Sequence, residues 1–120
     1  MKLVLESKQD YGTHVEEYKE EFSCTVKEEA GKVMIEFESG KITVEENRIT
    51  QERGENKIII EPNQIHECDY ETEYGMFVLD IRGIEVEKKE ITSNFLARAK
   101  YEILMVGVEP YINEIVIKIA

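Results

Sequence analysis

The sequence predicts an all-β fold: an antiparallel up-and-down meander of roughly eight to ten strands closed into a small barrel. Apolar residues recur at every second position along most of the chain, and short turn clusters interrupt them at close intervals. The connections are also short. A parallel crossover needs about a dozen residues or more, so consecutive strands pair antiparallel. Many strands with no helix to cover an edge leave unpaired backbone groups, which closure removes. A sandwich would need longer Greek-key connections than the chain offers.

The elements follow in order. Val33-Met34-Ile35-Glu36-Phe37-Glu38 places its odd positions on a dry face, and Lys41-Ile42-Thr43-Val44-Glu45 repeats the pattern. Phe77-Val78-Leu79-Asp80-Ile81-Arg82 and Glu114-Ile115-Val116-Ile117-Lys118-Ile119 do the same. Turns are expected at Glu29-Ala30-Gly31-Lys32, Ser39-Gly40, Arg53-Gly54-Glu55-Asn56, Pro62-Asn63 and Gly107-Val108-Glu109-Pro110. Phe77, Leu79 and Ile81 share a face, whereas Ile84 and Val86 have the opposite parity, so a bulge is expected at Gly83. The stretch 92–104 is ambiguous at its start. Thr92-Ser93-Asn94 could cap a helix, but Arg98, Lys100 and Glu102 alternate with Ala97, Ala99, Tyr101 and Ile103, and the segment reads as strand.

At 120 residues the chain fits one domain, 1–120. Its 15 basic and 26 acidic side chains give a net charge of −11. Nucleic acid and anionic membrane surfaces both call for clustered Lys and Arg, and Lys88-Lys89 is flanked by Glu87 and Glu90; neither partner is expected. The apolar start Leu3-Val4-Leu5 stops at Glu6, short of the roughly 7–15 residues of a secretory signal. Cys24 and Cys68 are far apart and are expected reduced in a cytoplasmic protein.

Three stretches carry a family resemblance. They are Glu17-Tyr18-Lys19-Glu20-Glu21-Phe22 leading through Gly31 to Val33-Met34-Ile35-Glu36-Phe37, then Tyr74-Gly75-Met76-Phe77-Val78-Leu79, and the closing pair Ala99-Lys100-Tyr101-Glu102-Ile103 and Asn113-Glu114-Ile115-Val116-Ile117. On these the chain resembles the YwiB-like family of small bacterial lipocalin-like barrels of unassigned function. The resemblance implies a calycin-type barrel and supplies no catalytic residues. The chain departs from the family's pattern at Asn94-Phe95-Leu96, where relatives usually carry a glycine opening the penultimate strand.

No motif names a reaction: there is no Gly-rich phosphate loop, HExxH, nucleophile elbow or CxxC pair, and no cofactor is expected. His66 and Cys68 share a strand face, but two ligands fall short of a metal site. Tyr18, Glu20 and Phe22 share one face, and His66, Tyr70 and Thr72 another; with Tyr101 they are candidates to line a barrel interior. The plainer account of the tyrosines is packing, with hydroxyls at the rim. Arg82 and Arg98 complete the candidate lining, where a guanidinium would clamp a carboxylate or phosphate; against this, Asp80 makes a surface ion pair easy for Arg82. The leading expectation is a barrel holding a small amphipathic molecule. The second is an interaction protein or homodimer acting through Val4, Ile59 and Val116 on its outer surface. An enzyme using Glu20, His66 and Arg82 ranks third, and a non-enzymatic role is favoured.

Overall fold

A computed structural model describes residues 1–91 and 94–120, excepting the side chains of 90, 91 and 94–96. The strands are β1 (Lys2–Asp10), β2 (Val15–Glu29), β3 (Lys32–Phe37), β4 (Gly40–Val44), β5 (Ile49–Arg53), β6 (Asn56–Ile60), β7 (Ile65–Thr72), β8 (Gly75–Ile91), β9 (Asn94–Met105) and β10 (Val108–Ile119). They form one antiparallel sheet in the order β6-β5-β4-β3-β2-β1-β10-β9-β8-β7. The expected meander is therefore present, with β1 and β10 meeting through the pairing Leu3–Ile119 to Asp10–Ile112. The ambiguous segment is strand from Asn94 onward, while 92 and 93 lie outside the described residues.

Closure follows from chain order. The outermost strands of the sheet, β6 and β7, are consecutive in sequence and joined by the short turn 61–64, so the two edges are drawn together. The seam between them uses a side chain in place of a ladder. Asn56 Oδ1 accepts from the Glu71 amide at 2.9 Å and Asn56 Nδ2 donates to the Glu71 carbonyl at 3.3 Å. At the other end of the seam, the Gly83 amide donates to the Gln64 carbonyl and the Asn63 amide to the Gly83 carbonyl, each at 3.0 Å. Gly83 makes this possible, because a Cβ there would stand 1.9 Å from the Glu61 carbonyl oxygen. The predicted bulge is present as a register shift between Gly83 and Glu85; it returns Val86 to the inner face and leaves Ile84 as the extra, half-buried residue.

The turns obey local chemistry. β2 and β3 are joined by Ala30-Gly31, both with positive φ (51° and 79°), the signature of a two-residue hairpin whose twist matches its strands. Pro110 sits inside β10 rather than in the turn before it, at the register shift between Val108 and Tyr111, where a missing amide donor breaks no ladder bond.

Strand β2 decides the shape of the opening. Its residues 15–23 pair with β1 and its residues 24–29 with β3. The edge of its first half opposite β1 has no ladder partner among the described residues, and it faces the β5–β6 hairpin across a gap spanned by Arg53 and Glu20. The apolar core lies at the other end, where Leu3, Ile35, Ile42, Val44, Ile49, Ile60, Ile117 and Ile119 are buried.

Candidate functional site

The inward-facing residues change character along each strand, and this gradient builds the site. On β1 they run Leu3, Leu5, Ser7, Gln9; on β5 Ile49, Gln51, Arg53; on β10 Ile117, Ile115, Asn113, Tyr111; on β2 Cys24, Phe22, Glu20, Tyr18. Aliphatic groups fill one half, and polar or aromatic groups ring the other. Between the two the inward side chains leave a hollow. The hollow is a cavity of about 510 Å³, inside the roughly 300–1,000 Å³ range of small-molecule sites. Leu5, Ile58, Leu79, Ile81, Ile103 and Ile115 supply its apolar wall.

Three polar arrangements face it. Deepest is a relay in which Ser7 Oγ donates to Asn113 Oδ1 at 3.3 Å and Asn113 Nδ2 donates to the Tyr101 hydroxyl at 2.7 Å. Burial pushes the Tyr101 phenol well above its usual range, so it stays a hydrogen-bond donor at any physiological pH. Higher up, Tyr70 and Tyr111 line the wall; Tyr111 stacks on Tyr11 with ring centroids 4.8 Å apart, and burial raises its phenol as well. At the mouth stands Arg53, with its guanidinium carbon 5.7 Å from the Phe22 ring centre and 5.6 Å from that of Phe37. Its Nη2 reaches Glu20 Oε1 at 3.4 Å, and its Nε is buried with no hydrogen-bond partner among the described residues. Gly40 is the register partner of Arg53, and β4 approaches β5 so closely there that a Cβ would lie 1.9 Å from the Glu52 carbonyl oxygen.

The eight residues expected on the lining divide three ways. Tyr18, Glu20, Tyr70 and Tyr101 line the cavity. Phe22 and His66 share the inward parity but stand off the cavity wall: Phe22 packs against Phe37 with centroids 4.9 Å apart, and His66 Nε2 meets Glu61 Oε1 at 2.7 Å. That contact and the nearby Arg48 hold the Glu61 carboxyl below its usual value. Arg82 and Arg98 correct the expectation. Both lie on the outer face, Arg82 bonded to Glu102 at 3.0 Å and Arg98 near Glu85 and Glu87 at 3.8 and 3.6 Å, because the buried Ala97, Ala99 and Tyr101 take the inward positions of β9. The acid–base grouping of Glu20, His66 and Arg82 is therefore not assembled: each pairs with a different residue. Val4, Ile59 and Val116, expected exposed, are half-buried.

Arg53 was legible only as a turn residue, since it adjoins Gly54. The signal that places it inside is its parity with Ile49 and Gln51. Among the described residues no helix is long and apolar enough to cross a membrane, and no group of three His, Cys, Asp or Glu side chains is gathered as metal ligands.

Comparison with known proteins bears on the fold alone. The chain is similar to the crystal structure of the YwiB protein from Bacillus subtilis, with a TM-score of 0.79 at 15% identity, covering 98% of this chain and 87% of that one. The architecture is YwiB-like. No protein-family model matches the sequence, and no curated protein matches it.

Proposed function

We propose that this barrel binds a small amphipathic molecule inside its open half. The observation that supports the reading is the cavity itself: a hollow of about 510 Å³ with an apolar wall and polar groups at its floor and mouth. Removing an apolar body from water against that wall supplies affinity at about 25 cal/mol per Å² of buried surface, and the fixed polar groups orient the guest. A lipocalin-like mode of binding fits the same architecture, in a protein expected to work in the cytoplasm. Native mass spectrometry of freshly purified protein should show a retained small molecule. Nile red, a neutral probe, should brighten on binding, and Leu79→Trp, which fills the cavity, should remove the response. A bare polypeptide mass together with no Nile red response would overturn the reading.

A second reading is a docking face for a partner or another copy of the chain. It is supported by exposed apolar residues on the β8 and β9–β10 surface, Met76, Val78 and Val106. Sedimentation across a concentration series tests self-association, and a monomer throughout would remove the homodimer.

A further inference from the structure

We infer that the cavity takes an organic acid, an amphiphile whose carboxylate replaces Glu20 against Arg53. This rests on the binding reading above and narrows it to one class of ligand. Among the described residues Arg53 is the one arginine or lysine on the cavity wall, since Arg82 and Arg98 lie outside. Its position is built. Phe22 and Phe37 hold the guanidinium, and the Gly40 backbone faces it across the β4–β5 pair.

Its hydrogen bonding is incomplete. Among the described residues Nε has no partner, and the one bond to Glu20, at 3.4 Å, is well beyond the roughly 2.7–2.9 Å of a charge-assisted pair. Glu20 is a loose counter-ion: its side chain is half exposed, and it reaches across the gap from a strand edge that none of the described residues pairs. Solvent can take over a carboxylate in that position at little cost. An incoming carboxylate carried on an apolar body gains where Glu20 does not. It can adopt the two-bond fork that a planar guanidinium favours while its body covers Leu5, Leu79, Ile81, Ile103 and Ile115. A cationic amphiphile would instead set a like charge against Arg53, and a neutral alcohol would leave the guanidinium as loosely paired as before.

The substitutions at Glu20 and Arg53 make the inference testable by sign. Calorimetric titration of the intact chain with decanoate, 1-decanol and decylamine should rank decanoate first. Arg53→Gln should weaken decanoate about tenfold to a hundredfold while leaving 1-decanol unchanged. Glu20→Gln, which removes the internal competitor, should tighten decanoate about twofold to fivefold. A cation site predicts the reverse at Glu20, with decylamine weakened by the loss of the carboxylate. Preference for decylamine, or equal binding of decanoate and 1-decanol in all three proteins, overturns the acid and leaves the binding reading standing. So does uptake of Nile red with no binding of any of the three. Failure of Nile red and all three probes together overturns the binding reading itself.

Discussion

Ile117 and Ile115 stand on the same strand, face the same way and are the same residue, yet one is fully buried among aliphatic neighbours and the other borders the cavity. The two halves of the barrel differ as these two residues do. In the closed half the inward positions are Leu, Ile, Val and Ala, buried against one another as protein interiors close-pack. In the open half Tyr, Asn, Gln, Arg and Glu join Leu and Ile around a hollow. The closed half carries the stability that lets the open half stay hollow.

The largest way to break this division lies at the seam. Gly83→Ala drives a methyl group into the Glu61 backbone, which has no flexible tip to move aside, and should cost about 3 kcal/mol or more, read as a fall in the urea midpoint. If its stability equals that of the parent, the tight approach of the 61–64 turn to β8 is not what closes the sheet. Next come the paired isoleucines. Ile117→Ala should cost about 2–5 kcal/mol in urea unfolding, and Ile115→Ala only about 1 kcal/mol, because one side of Ile115 already lacks contact atoms. Equal losses would mean that the open half is packed like the closed one.

Tyr101→Phe sharpens the comparison at the boundary between the halves. It leaves the buried Asn113 amide without its hydroxyl acceptor and should cost about 1–3 kcal/mol; Asn113→Leu in the same background should recover part of the loss. The smallest effect is a pH dependence. The Glu61 carboxyl is held low in the folded protein by His66 and Arg48, so its contribution is present above the ordinary value of 4.5 and fades as pH falls through the folded one. Glu61→Gln should therefore be less stable than the parent at neutral pH and converge with it in acid. A gap that persists at low pH would assign the effect to packing.

Much of this was legible from the chain alone because strand parity is a local rule. The period-two pattern of Val33, Ile35 and Phe37 needs no neighbour to declare a dry face, and the parity change across Gly83 announced a bulge that the register shift then supplied. The same rule placed Tyr18, Glu20, Tyr70 and Tyr101 inside. Arg82 and Arg98 were misplaced against the same rule. Ile81, Ala97 and Ala99 are the dry-face residues beside them, and that parity alone turns both guanidiniums outward.

Local periodicity in this chain dictated which side chains share a face, where the backbone turns and that consecutive strands run antiparallel, because each depends only on residues within a few positions of one another. Which inward groups converge was settled in three dimensions. Arg53 on β5 meets Glu20 and Phe22 from β2 and Phe37 from β3, and Asn56 closes a seam against Glu71. Such meetings depend on register and on the curvature of the whole sheet, and no single segment encodes either.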